Sequence, residues 1–344
     1  MTTTVTRTVK SAGGDYSTLL AYEAGEQGDL PTLDEIRQAE CYAFLDQGLD
    51  PLFDGWTTDA TRYIRVFAAA GEQHNGTRGT GYRRQIRGFG HGVDIREDFM
   101  RVEGVAVESD DNGGTEQWGD RGFHIEAGVT TDIRISKCYQ TVGRTNDFAF
   151  ARIFGGGVIK IWNCVSGYDE AVGNSANQLD VADAGVALSV YNNTFVGTEM
   201  SALGFFGLIQ NTSGGAPLVV CKNNLCDRGA NPGANPAAYM LASADTTGST
   251  NNLSDDATAP GANPLTNKAP EYVDEVNGDL HIAVADAVCR DVGADLSGDG
   301  TIPFSDDIDG DARPIGAAWD VGADESAGPP PVRPLRVISS PLRW

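Results

Sequence analysis

The sequence predicts an all-β solenoid, a right-handed parallel β-helix, and three observations carry that expectation. Glycine (43 of 344 residues), asparagine and aspartate punctuate the chain, dividing it into many short elements joined by turns. Hydrophobic residues make up 40% of the chain, enough to bury a core, yet they come in short runs with period-two alternation, the pattern of a half-buried strand. Those runs recur at intervals near thirty residues, as stacked coils require.

Residues 1–39 read as an N-terminal strand and capping helix. In the segment from Gly13 to Gly25, Ser17 is placed to cap a short helix that Gly25 ends, and Tyr16, Leu19 and Leu20 give it an apolar side. Such a helix suits the open end of a stack, where the first coil needs a cover. A second short helix is expected to begin at Thr32, because Thr32-Leu33-Asp34-Glu35 has capping-box spacing.

Residues 40–255 read as the β-helix proper. The runs Ile133–Tyr139, Ile159–Val165, Leu188–Thr194 and Val219–Leu225 can be laid over one another. Their second apolar positions are Ile135, Ile161, Val190 and Cys221, at steps of 26, 29 and 31 residues. An upstream run, Val105-Ala106-Val107-Glu108, lies 28 residues before Ile135 and extends the expected stack to at least six coils. Asn163, Asn192, Asn223 and Asn251 keep the same step. Stacked amides can bond from coil to coil, and Asn tolerates a left-handed backbone, so these four are expected to form a ladder at a turn. Residues 256–327 read as C-terminal coils and a turn-rich cap.

Residues 328–344 are basic and proline-rich where the body is acidic. Such a segment builds no core of its own and extends like polyproline. It is expected to dock on a neighbouring subunit or on its own β-helix, with Leu335, Val337, Ile338 and Trp344 as apolar anchors.

The opening Gly13-Gly14-Asp15-Tyr16-Ser17-Thr18-Leu19, the strand-Asn repeats, and the ending Asp307-Ile308-Asp309-Gly310-Asp311-Ala312-Arg313-Pro314 with Asp320-Val321-Gly322-Ala323-Asp324-Glu325 resemble right-handed β-helix proteins of the pectate-lyase-like superfamily. The resemblance implies that fold along nearly the whole chain. The superfamily includes lyases, hydrolases, adhesins, phage tailspikes and catalytically silent proteins, so the fold leaves function open.

Acidic residues outnumber basic ones 48 to 25, for a net charge of −23. A surface that negative repels phosphates and anionic headgroups, which argues against nucleic-acid and membrane partners. The first ten residues lack the apolar stretch of a secretory signal, so export by that route is not expected; secretion by another route remains the alternative. Six cysteines show no C-x-x-C pair or metal-finger spacing and read as buried small hydrophobes.

For chemistry, Gly90-His91-Gly92 and Asp110-Asp111 resemble fragments of polygalacturonase-type glycosidases, but here the Asp pair follows the Gly-His-Gly instead of preceding it, and other family elements are missing. Asp120 and His124 are the other acid–base candidates, and an exposed strand position explains them equally well. Trp118, Trp162, Tyr168 and Tyr191 are candidate sugar-stacking residues. Asp295, Ser297, Asp299, Thr301 and Asp306 have the spacing of an EF-hand-like calcium loop, although Asp stands where a bidentate Glu is usual and no helix flanks it.

The leading expectation is a non-enzymatic structural or adhesive protein on a bacteriophage virion surface, a capsid decoration or a tail spike or fibre component. Its partners would be other virion subunits or copies of itself, a trimer by resemblance to tailspikes, and a surface glycan. The alternative is a polysaccharide lyase or glycoside hydrolase.

Overall fold

A computed structural model describes residues 1–86, 90–109, 121–142, 149–168, 178–197, 207–229 and 237–327. They wind into a parallel β-helix of three sheets with eight, seven and eight strands. The first sheet runs Thr3–Val9, Glu35–Cys41, Ile64–Ala68, Met100–Glu103, Ile133–Ser136, Val158–Trp162, Ala187–Tyr191 and Leu218–Lys222. Each strand pairs in parallel with the one a coil earlier, so only the end strands leave an edge open.

The aliphatic file read from the sequence stands as a column. Ile135 pairs with Ile161, Ile161 with Val190, and Val190 with Cys221, and all four are fully buried. One step of that reading is corrected. The register neighbour of Ile135 is Val102, 33 residues earlier, whereas Val107 pairs with Gln140 in the third sheet. That coil is longer than the three that follow it, so a 28-residue step lands on the strand past the corner at Gly104.

The corner between the first and third sheets explains the asparagines. Lys137, Asn163, Asn192, Asn223 and Asn251 occupy it with φ between 49° and 54°, and Gly104 occupies it with φ 69°. Asn tolerates this left-handed backbone better than most side chains.

The continuous amide stack lies one residue further on. Asn193 Nδ2 donates to Asn224 Oδ1 and Asn224 Nδ2 to Asn252 Oδ1, both at 3.0 Å, and Cys138 and Cys164 fill the lower rungs. Of the four residues expected to form the ladder, one pair is bonded, Asn223 Nδ2 to Asn192 Oδ1. The left-handed corner turns all four amides towards the C-terminal segment, whose carbonyls they bond.

The N-terminal cover is a helix, Leu19–Glu26, capped by Thr18 and not Ser17: Thr18 Oγ1 accepts from Ala21 N at 3.1 Å. Leu19 and Tyr22 are fully buried against the first coils. The second helix, Leu30–Leu33, is capped by Asp29, whose carboxylate accepts from Thr32 N. Thr32 therefore lies inside the helix, because an aspartate three residues earlier takes the capping role.

The C-terminal segment forms more than an end cap. Residues 259–267 add a last partial rung through Thr250–Ala262 and Leu253–Leu265 bridges. The chain then doubles back down the asparagine corner as a strap. Asn251 donates to Val292 O, Asn223 to Ala294 O, Asn192 to Asp320 O and Gly322 O, and Asn163 to Asp306 O. Beneath it Tyr191 packs with Leu296, Ile302 and Trp319.

The terminal motif holds the strap together. Asp307 accepts from the backbone of Asp309 and Asp311, while fully buried Arg313 pairs with Glu325 at 2.8 Å and caps the carbonyls of Gly322 and Ala323. Gly322 needs φ 108°, and a Cβ there would lie 2.8 Å from Thr194 Oγ1. All six cysteines are free and buried.

Candidate functional site

Two polar files face outward from the solenoid, and each begins as a strand alternation. On the second sheet the inward residues Val93, Phe123, Ala151, Leu179 and Ile209 alternate with the outward residues Asp94, His124, Arg152, Asp180 and Gln210. The sequence candidates His91 and His124 meet here: their rings stack with centroids 4.1 Å apart and planes 23° from parallel. Gly90-His91-Gly92 is built for that approach. A Cβ at Gly92 would lie 2.6 Å from Gly122 O, one at Gly90 would lie 2.5 Å from Asp50, and the same Asp50 carboxylate accepts from His91 N.

His124 Nδ1 lies 3.4 Å from Asp94 Oδ1 and 3.7 Å from Glu126 Oε1, and Arg96 reaches both carboxylates. Burial and the neighbouring His124 push His91 down to about 4, so its ring is neutral near pH 7. Burial raises Asp94, but the bond to His124 and the nearby positive charge outweigh it and hold the carboxyl below its ordinary value. A glycosidase acid needs the opposite, a raised carboxyl. Asp94 and Asp180 are three coils apart, about 14 Å at ~4.8 Å per coil, beyond the ~5–10 Å of a glycosidase pair.

The first sheet carries a second file that sequence reasoning missed. Arg65, Arg101, Arg134 and Lys160 stand in register on four consecutive coils. Like charges side by side cost stability, and two carboxylates offset them in part. Arg65 bonds Glu103 at 2.5 Å, while Asp132 takes a two-pronged bond from Arg134 and lies within 4 Å of Arg101 and Lys160. Four cations against two carboxylates leave a local excess of two.

The Arg101 guanidinium lies 3.4 Å from the Tyr63 ring centroid and Arg65 lies 4.1 Å from that of Phe67. Burial lowers the Arg101 pKa, and its Nε has no hydrogen-bond partner. Tyr63, Glu103, Ser136 and Trp162 complete a cleft of about 250 Å³ over the arginines. The signal was present in the sequence. Ile64-Arg65-Val66, Met100-Arg101-Val102, Ile133-Arg134-Ile135 and Ile159-Lys160-Ile161 place one cation between two core residues in four successive first-sheet strands.

No family model and no curated protein matches this chain. The crystal structure of pectate lyase Pel9A is similar over 94% of this chain and 97% of its own, at 13% identity and a TM-score of 0.30.

The remaining sequence candidates are dispersed. Asp110, Asp111, Asp120 and Trp118 lie outside the described residues, as does the tail with Leu335, Val337, Ile338 and Trp344. Tyr191 is buried under the strap and cannot stack on a sugar, whereas Trp162 lines the cleft.

The calcium-loop residues are turned to other uses. Asp295 Oδ1 accepts from Ser297 N, and Asp299 accepts from Thr301 N and Ile302 N and binds Lys222 Nζ at 2.6 Å. Asp306 binds Lys137 Nζ at 2.6 Å. Two lysines on different coils thus draw the loop's carboxylates apart, as strap fasteners instead of a shared oxygen cage. Among the described residues, the groups gathering His and carboxylate ligand atoms within 4.8 Å are His91–Asp94–His124 and His281–Asp309–Asp324.

Proposed function

We propose that this chain is a non-enzymatic adhesive β-helix that holds an acidic polysaccharide along the outer face of its first sheet, as an exposed component of a phage particle. The observation that carries the binding reading is the file Arg65, Arg101, Arg134 and Lys160. A polyuronate presents one carboxylate per sugar, and the file presents one cation per coil at a pitch of ~4.8 Å. Guanidinium groups bond carboxylates in two-pronged fashion, and Tyr63, Phe67 and Trp162 offer flat apolar surfaces beside them. The virion placement rests on the resemblance to tailspikes drawn from the sequence.

Binding of the full chain to polyuronate, compared with a neutral glucan of equal length, tests the reading by calorimetry. Arg101→Ala is expected to weaken polyuronate binding about tenfold, the loss of one charge-assisted pair of ~1.5 kcal/mol. Equal affinity for the neutral polymer would overturn it. Immunogold labelling of phage particles from the source culture tests the placement.

A second reading, eliminative cleavage of the same polymer, is favoured by one observation: Arg101 is half-buried, lowered in pKa and unbonded at Nε. Unsaturated ultraviolet-absorbing products in the same mixtures would establish it in place of simple adhesion.

A further inference from the structure

The two histidines and the aspartate on the second sheet do something that the glycan-binding face does not require. We propose that His91, Asp94 and His124 form a binding site for a divalent transition metal of the zinc class, with Glu126 in reach as a fourth ligand.

The donor set is two imidazoles and a carboxylate, which zinc accepts at catalytic and structural sites alike. One nitrogen from each ring and a carboxylate oxygen of Asp94 lie within 4.8 Å of one another. Tetrahedral ligands at about 2.0–2.1 Å from zinc stand about 3.3 Å apart. His124 Nδ1 and Asp94 Oδ1 already stand 3.4 Å apart, and Glu126 Oε1 lies 3.7 Å from the same nitrogen. His91, whose ring is already stacked over His124, and Glu126 have to close in to complete a four-ligand site.

Two further facts favour a ligand role. His91 Nδ1 is buried and has no hydrogen-bond partner in the structure, an unusual cost for a polar atom. The backbone around it is fixed by Gly90, Gly92 and the His91 N bond to Asp50, so the ring is held in place. Arg96, which binds Asp94 and Glu126, is well exposed and free to swing away when the metal takes its place.

The other His–Asp group offers a contrast. His281 already faces Asp279 with Nδ1 at 2.5 Å and Asp309 with Nε2 at 2.9 Å, so neither nitrogen is idle. It reads as an ion-pair clasp for the strap.

The test is titration of chelator-treated full-length protein with Zn²⁺ alone by calorimetry, and with Co²⁺ by visible absorption. One equivalent is expected to bind with micromolar affinity, and Co²⁺ is expected to give the intense band of a tetrahedral site. His124→Gln and Asp94→Asn should each weaken binding at least tenfold, while His281→Gln should leave it unchanged. Because a variant could misfold, a measurement on the unaltered protein stands beside them: Zn²⁺ should protect His91 and His124 from acylation by diethyl pyrocarbonate, mapped by mass spectrometry. Absence of zinc binding, binding that survives both His91→Gln and His124→Gln, or acylation of His91 and His124 that saturating Zn²⁺ leaves unchanged would overturn the proposal. None of these readouts involves polysaccharide, so the proposal stands or fails separately from the adhesive reading.

Discussion

Asn224 shows what one side chain does when coils are stacked. Its Oδ1 accepts from both Asn193 N and Asn193 Nδ2, and its Nδ2 donates to Val190 O and Asn252 Oδ1. Replacement by alanine leaves the Asn193 backbone amide orphaned in the interior, at about 1–3 kcal/mol, and removes the bonds to Asn193 Nδ2, Val190 O and Asn252 Oδ1, each worth about 1 kcal/mol. Asn224→Ala is therefore expected to lower unfolding stability by about 3 kcal/mol or more in chemical denaturation. Asn163→Gly, at a left-handed corner that glycine accepts, loses one bond to Asp306 and should cost no more than ~1 kcal/mol. Equal effects would contradict the assignment of the ladder to the inner position. The sequence showed the strand-Asn spacing clearly, but not which of two adjacent asparagines points inward. In Asn192-Asn193 and Asn223-Asn224 that choice is made by the backbone corner, and side-chain type does not encode it.

At the scale of the element, the strap is an assembly of buried charges whose balance is set by pH. Burial raises Asp307 and Asp320 to about 6. An acid raised above its unfolded value of ~3.9 favours folding only while protonated. That contribution is present below about 4 and lost as pH climbs through 6. Burial lowers His281, but the carboxylates of Asp309, Asp324 and Asp279 outweigh it and raise the ring to about 10. Its contribution is full below ~6.5 and lost as pH rises through 10. Asp299 runs the other way. Burial raises it, the bond to Lys222 and backbone amides outweigh that, and its net lowering gives stability above ~4 that is lost in acid.

The strap should thus be held most firmly near pH 4, loosen between about 4 and 6, and loosen further between about 6.5 and 10. Hydrogen exchange at Val321 and Ala323, whose amides bond Cys289 O and Thr194 Oγ1, reads this directly. Protection that rises steadily from pH 5 to 8, after correction for intrinsic exchange, would contradict it. The strap was also the element least legible beforehand. Its aspartates matched a calcium loop by spacing, yet the lysines that claim two of them, Lys137 and Lys222, come from strand ends 169 and 77 residues away. A local pattern carries no record of such partners, whereas the Ile135–Cys221 column depends only on periodicity and was read correctly.

For the whole molecule, a net charge of −23 argues against anionic partners only if the charge is spread evenly. The register of the first sheet concentrates Arg65, Arg101, Arg134 and Lys160 on one face, so a polyanion meets long-range repulsion and short-range attraction together. The two terms respond differently to salt, because the screening length falls from about 30 Å at 0.01 M to about 10 Å at 0.1 M and 3 Å at 1 M. Repulsion from distant carboxylates acts across tens of ångströms and is removed first. In the proposed complex, contacts between guanidinium and uronate would be made at hydrogen-bond distance and would survive until salt is much higher. Polyuronate affinity is therefore expected to rise several-fold between about 0.01 and 0.1 M salt and to fall again towards 1 M. Arg134→Ala should lower the whole curve yet keep its initial rise, since the repulsion is unchanged. A steady decline from the lowest salt upward, as for a uniformly basic surface, would show that the acidic body is not felt at the binding face. Loss of the maximum together with unchanged binding in Arg134→Ala would move the glycan to another face of the solenoid.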